Sequence, residues 1–158
     1  MSVMGEVVYR VVGPEHAGEL LTLQRGAFVA EARLYGTVEI PPLVETLDEI
    51  RRELATTVTM GAWLGDRLVG AARLTLEGPV GWISRVAVAP DLQGQGIGSR
   101  LLSAVEAAAL PQVRRFQLAA GHRSQDNLAM YVRRGYREIS RRVDPAGVEL
   151  VVMGKDRD

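Results

Sequence analysis

"VAVAPDLQGQGIGSRLL", residues 86–102, decides how this chain is read. Three glycines, Gly94, Gly96 and Gly98, stand two residues apart between an apolar, strand-like run and an amphipathic, helix-like one. Glycines this close together cost backbone entropy on folding. The position therefore requires bare backbone, and close approach of a ligand supplies that requirement. A strand, a glycine-rich turn and a helix together present amide N–H groups to an anion. The first N–H groups of a helix lack internal partners, and the helix dipole adds partial positive charge at the same end.

Three phosphate-binding spacings compete for the stretch. A phosphate loop ends in Gly-Lys-Ser/Thr, whereas Gly98 is followed by Ser99 and Arg100. A dinucleotide fingerprint reads G-x-G-x-x-G, and counted from Gly94 the last glycine comes one place early. The spacing Q/R-x-x-G-x-G/A fits, with Gln93, Gly96 and Gly98 in register.

Working outward, "EVVYRVVG" over 6–13 predicts a strand stopped by Gly13-Pro14. Apolar residues Ala17, Leu20, Leu21, Ala27 and Phe28 recur at helical spacing and predict one helix over 14–36. The stretch 37–46 reads as a proline-broken loop. A charged helix follows over 46–57, with Thr46 as cap and Glu49 as its capping-box partner. Within that region Glu45, Asp48, Glu49 and Glu53 read as a solvated face balanced by Arg51 and Arg52.

Past residue 57 the period changes. Two β-rich runs meet at Gly65-Asp66, a two-residue hairpin signal. A further strand over 82–90 leads into the glycine stretch and then a helix over 98–110. Residues 113–121 read as a strand, 124–134 as a helix with Gly135 as its C-cap, and 136–154 as a hairpin around Pro145-Ala146-Gly147. The expected fold class is α/β (α+β): a single mixed, mostly antiparallel central sheet flanked by helices, in one domain over 1–158.

Composition agrees with a soluble globular class. The 158 residues carry 19 Lys+Arg against 19 Asp+Glu, so net charge offers no support for a nucleic-acid or anionic-membrane partner. The absence of cysteine removes disulfides, thiolate metal sites and a cysteine nucleophile together. The N-terminal stretch 1–16 has no basic flank leading into a long apolar run, so no signal peptide is expected. No apolar run approaches the length of a membrane span. The expected location is cytoplasmic.

The residues "VAVAPDLQGQGIGSRLL" and, later, "NLAMYVRRGYRE" resemble the GNAT superfamily of acyl-CoA-dependent N-acyltransferases, and the inferred element order is similar to that family's across most of the chain. The resemblance implies acetyl-CoA as acyl donor, with its diphosphate on the backbone amides of Gly94, Gln95, Gly96, Ile97, Gly98 and Ser99, beside Gln93. It implies a pantetheine arm along the strand at Val86 and Val88, bonded to their backbone, with Arg100, Arg133 or Arg134 near the outer phosphates. It allows a homodimer, although no patch in the sequence marks an interface. No metal is expected.

The reaction that the resemblance implies is attack of an amine on a thioester. An alkylamine of pKa near 10.4 is neutral in only about one molecule in 2,500 at pH 7, so its proton must be removed. The tetrahedral intermediate needs preset donors for its oxyanion. A phenol that stays protonated at pH 7 can supply a proton to the departing thiolate. Tyr131 stands four residues before Gly135-Tyr136, where the family's catalytic tyrosine stands before its Gly-aromatic pair, and is the expected acid. The family's asparagine seven residues earlier is replaced by Ser124, expected either to bond the cofactor or to cap the helix. Neither central strand offers a carboxylate base. Glu31, Glu39 and His122 are candidates, alongside a water relay reaching Ser84. Glu31, Tyr35 and Glu39, near the expected acceptor wall, are the candidate substrate-binding residues. The expected function is acetyl transfer to a primary amine of an unidentified small molecule or peptide, by direct attack in a ternary complex. The competing reading is a non-catalytic acyl-CoA-binding sensor or partner module.

Overall fold

The turn at Gly65-Asp66 closes a hairpin at the place the sequence marks, joining β2 (Val58–Leu64) to β3 (Arg67–Glu77). The computed structural model describes residues 4–158, so the first three residues of the N-terminal stretch read above lie outside the described residues. Strand β1 (Val7–Val11) pairs with β2. Next come β4 (Val80–Val88), β5 (Arg115–Gly121), β6 (Arg137–Val143) and β7 (Glu149–Asp156). The sheet order is β1-β2-β3-β4-β5-β7-β6. Every neighbouring pair is antiparallel except β4 and β5, which are parallel. The expected mixed, mostly antiparallel sheet flanked by helices is the fold observed.

Helix positions follow the sequence with two differences. The span expected as one helix is a 3-10 turn at Pro14–His16, then α1 (Ala17–Ala27) and α2 (Val29–Tyr35). The break falls at Phe28, whose ψ of 3° leaves helical geometry although its N–H still bonds Gln24 O. The proline loop contains a short helix, α3 (Pro41–Val44), because prolines in the first turn give up no intrahelical donor. Helix α4 (Leu47–Thr56) carries the expected capping box: Glu49 N donates to Thr46 Oγ1 at 3.2 Å and Thr46 N to Glu49 Oε1 at 3.0 Å.

Helices α5 (Ile97–Ala107) and α1 cover opposite faces of the sheet. On β3, Gly70 faces Ile97 of α5, where an added Cβ would lie 3.4 Å from that side chain. Arg73, an odd number of residues along, projects from the other face of the pleat toward Glu45, beside α1. Buried Trp63, Ile83, Phe116, Leu101, Leu102 and Leu118 fill the interior between these layers. At this burial each large side chain contributes about 1.5–3 kcal/mol relative to exposure. Helix α6 (Gln125–Arg133) follows β5, and Gly135 just beyond it takes a left-handed φ of +97°.

Candidate active site

The sheet parts in the middle. Strands β4 and β5 pair only through Val80–Arg115, Gly81–Phe116 and Trp82–Gln117. Beyond Trp82, β4 continues along β3 to Val88, while β5 continues along β7 to Gly121. The result is a wedge with one strand edge on each side. Ala89 N donates to Val69 O at 2.8 Å, so the amides at odd positions here face β3. Strand amides alternate, which turns the peptide groups of Val88 and Val86 toward the wedge. Val88 O accepts a long bond of 3.4 Å from Gln93 Nε2 on that side.

A bulge deepens the parting. Ala71 pairs with Ala87 and Arg73 with Ser84, so β4 carries one residue more than β3 in this interval. Arg85 absorbs it with a φ of +54°, the one positive φ at a non-glycine among the described residues. Side chains pay about 1–2 kcal/mol for that conformation, and such residues gather at functional sites.

At the end of β4 the chain turns through Gly94 (φ +77°) and Gly96 (φ +84°) into α5, with Gly96 as N-cap and no side chain capping the helix. Arg100 N is the donor that bonds back to Gly96 O. The amides of Ile97, Gly98 and Ser99 therefore form an uncapped helix start with no acidic residue in its first turn. A Cβ at Gly98 would lie 3.3 Å from Met130 Sδ and 3.7 Å from Val88 Cγ2. The helix start thus packs against both the end of β4 and the residue next to Tyr131.

A cavity of about 460 Å³ opens at the wedge and is lined by Val86, Tyr131, Ser124, Glu31, Tyr35 and Arg85, among others. Helical spacing explains one wall. Phe28, Glu31 and Tyr35 fall at i, i+3 and i+7 and present one face to the cavity. Tyr131 is 4% exposed. Burial first, and the Glu31 charge second, push its phenol above the ordinary value, so it remains a proton donor.

Three side chains form a directed chain along this wall. Arg123 N donates to Tyr35 Oη at 3.0 Å. Tyr35 Oη lies 2.7 Å from Ser124 Oγ, which donates to Glu31 Oε2 at 2.6 Å. With its proton given to Glu31, Ser124 accepts from Tyr35, and the chain ends on a carboxylate. Gly121 makes the arrangement possible, because a Cβ there would run into Tyr35 Oη. Ser124 makes no capping bond to α6, so the capping alternative is set aside.

Beneath the cavity sits a buried ion cluster. Glu45 receives Arg73 Nη1 and Nη2 at 3.1 and 3.0 Å, Gln24 Nε2 at 2.9 Å and Arg85 Nε at 3.2 Å. Burial alone would raise this carboxyl, but the bonds from Arg73 and Gln24 and the Arg85 charge outweigh it and hold the pKa at about 2. Glu45 therefore does not belong to the solvated face expected for it; it is 8% exposed, whereas Asp48 and Glu49 are exposed as expected.

Other expected residues fall elsewhere. Glu39 is exposed, its N–H bonded to Thr37 Oγ1, and it does not line the cavity. His122 lies outside the lining, with Nδ1 3.2 Å from Glu149 O. Ser84 lines the cavity. Arg100 and Arg133 are exposed, while Arg134 bonds Ser103 Oγ. Arg85 was not singled out from the sequence; its only trace there is an arginine inside an otherwise apolar strand.

Comparison with known proteins supplies an independent line. The model of the acetyltransferase (GNAT) family matches residues 23–136. No curated protein matches the chain. Among solved structures, a GNAT-family acetyltransferase from Streptococcus pneumoniae is similar at a TM-score of 0.77 and 20% identity, covering 97% of this chain and 100% of that one. PaiA N-acetyltransferase from Thermoplasma acidophilum, in complex with coenzyme A, is similar at 0.75 and 14%, covering 96% and 99%. Ribosomal-protein-alanine N-acetyltransferase from Brucella melitensis is similar at 0.75 and 20%, covering 95% and 99%. At these identities the likeness is one of fold.

Proposed function

Because the chain belongs to the GNAT family of acetyltransferases, and is thereby an acetyl-CoA-dependent acyltransferase, we propose that it moves the acetyl group to a primary amine by direct attack within the cavity at the wedge. The observation that carries this reading is the meeting of a buried phenol, a carboxylate and an open strand edge, Tyr131, Glu31 and Val86, on one cavity.

The residues divide the work. The uncapped amides of Ile97, Gly98 and Ser99, reached through Gly94, Gln95 and Gly96, receive the diphosphate of the donor. The backbone of Val86 and Val88 pairs with the pantetheine amides, in the manner of strand addition. Gln93 braces the turn through its bond to Val88 O. An amide of β4 facing the wedge stabilises the developing oxyanion.

Glu31 takes the proton of the attacking amine, and the Ser124–Tyr35 chain fixes the carboxylate while it does so. Ser124 thus serves the acceptor side rather than the donor. As the nitrogen–carbon bond forms and the carbon–sulfur bond breaks, the electron pair leaves on sulfur. Tyr131 gives its proton there and is reprotonated from solvent, while Glu31 releases the amine's proton to solvent, so both groups are reset. A thiol of pKa about 8.5 is a fair leaving group, so Tyr131 assists departure rather than enabling it alone.

Thiol release from acetyl-CoA with a panel of amines, for wild type and Tyr131→Phe, tests the reading. Turnover that depends on both the amine and Tyr131 is expected. Binding of acetyl-CoA without turnover on a broad panel would overturn it in favour of a binding module.

A further inference from the structure

The cavity is charged at two places of opposite sign. Glu31 lies on the α2 wall, and Arg85 of β4 and Arg142 of β6 line the same space. The remaining acid of the lining, Asp144, is committed to its own turn: its Oδ1 accepts from Ala146 N at 2.8 Å and Val148 N at 2.9 Å. Much of the remaining lining is apolar and aromatic, with Phe28, Ile40, Trp82 and Val148 among it.

Arg85 is held as an anchor would be. Its hydrogen bond to Glu45 uses Nε alone, at 3.2 Å, so the planar terminal fork is the part of the guanidinium not committed to that carboxylate. Glu45 is already met by both terminal nitrogens of Arg73 and by Gln24. A buried carboxylate so well supplied has no need of a second arginine for its own neutrality, yet the strand accepts a left-handed backbone at Arg85. A fork presented in this way matches a carboxylate in bidentate geometry. Arg142 stacks over Trp82, 4.8 Å from the ring centroid, and is exposed at the rim.

We propose that the acceptor is an amino acid with an apolar side chain: its amine faces Glu31 and Tyr131, its carboxylate docks on the terminal fork of Arg85 with Arg142 as the outer cation, and its side chain lies against the apolar wall beside Trp82. The inference rests on the acetyl-transfer reading above and adds the class of acceptor to it.

The test compares kcat/KM for amino acids with that for the same amines lacking the carboxylate: phenylalanine against phenethylamine, methionine against 3-(methylthio)propylamine. A 1-aminoalkylphosphonate arm separates carboxylate from a wider oxyanion preference. Wild type is expected to favour the acid about 10- to 100-fold, the span of a charge-assisted pair, and to favour it over the phosphonate. Arg85→Gly, whose backbone suits a positive φ, should bring the acid-to-amine ratio near one. Arg85→Lys, which keeps charge without the fork, should give an intermediate ratio, and Arg142→Ala a reduction of only a few-fold. Equal or better turnover of the amines by wild type overturns the inference while leaving acetyl transfer intact. A phosphonate preference overturns the amino-acid assignment, and a ratio lost in Arg142→Ala but kept in Arg85→Gly overturns the assignment of the anchor. Absence of thiol release with every amine overturns the acetyl-transfer reading itself, and this inference with it. The wild-type comparison decides the matter even where a variant folds poorly.

Discussion

Ser124 Oγ donates to Glu31 Oε2 across 2.6 Å, joining the first residue before α6 to the middle of α2, eighty-nine residues from its other neighbour Tyr35 in sequence. The two helices that frame the cavity are thus tied by a hydroxyl, and the carboxylate at the end of the tie lies close enough to act on the Tyr131 phenol.

Tyr131→Phe should lower kcat by about 10²-fold, at the lower end of general acid catalysis because the thiolate leaves readily. Affinity for CoA should stay near that of wild type. Separate measurement of kcat by thiol release and of Kd by calorimetry checks the split; parallel loss of both would assign the ring a packing role only.

Glu31→Gln should cost about 10²-fold or more in kcat/KM at neutral pH. Ser124→Ala should cost less, because the carboxylate remains and only its orientation is lost. If Glu31 is the proton acceptor, the loss should fall on kcat with every amine tested, whereas a binding role should appear as a raised KM with kcat kept. A rise in KM alone would reassign Glu31 to binding.

Gly96→Ala forces a side chain into a φ of +84° at the head of α5. The penalty of about 1–2 kcal/mol corresponds to roughly 5- to 30-fold weaker CoA binding if the turn must hold that shape to expose its amides. Calorimetric titration with CoA reads this directly, and unchanged affinity would remove the turn from the donor site.

Glu45 links the site to acid stability. Its pKa of about 2 lies below the ordinary 4.5, so its contribution is complete above pH 4.5 and is lost as pH falls through 2. The difference corresponds to about 3 kcal/mol. Denaturant unfolding across that window should show wild type losing stability that Glu45→Gln never had. At neutral pH the variant should be about 3–5 kcal/mol less stable, because it leaves buried Arg73, and half-buried Arg85 beside it, without their carboxylate.

Much of this was legible in the sequence because it is local. The glycine spacing, the capping box at Thr46 and Glu49, and the turn at Gly65-Asp66 are each set by residues a few places apart, and the structure keeps them. Tyr131, Glu31 and Tyr35, all named from the sequence, line one cavity. Where pairing crosses long separations the sequence was silent. Nothing near Glu45 announces that Arg73 and Arg85, 28 and 40 residues away, draw it inside. Surrounded by Asp48, Glu49 and Arg51, it reads as surface. The kink at Phe28 was hidden because α1 and α2 share the same period. Glu39 was placed by proximity to the loop, but its side chain does not line the cavity.

The parting of β4 from β5 after Trp82 has an evolutionary side. Part of the site there is built of peptide groups, which every amino acid carries, while the rest is built of particular functional groups on α2, β4 and β6. Exchanging a side chain at Val86 or Val88 leaves the first set of donors and acceptors in place. Exchanging Glu31, Arg85 or Arg142 rewrites the second. A lineage with this architecture can wander from one nucleophile to another while its grip on a common acyl carrier stays untouched.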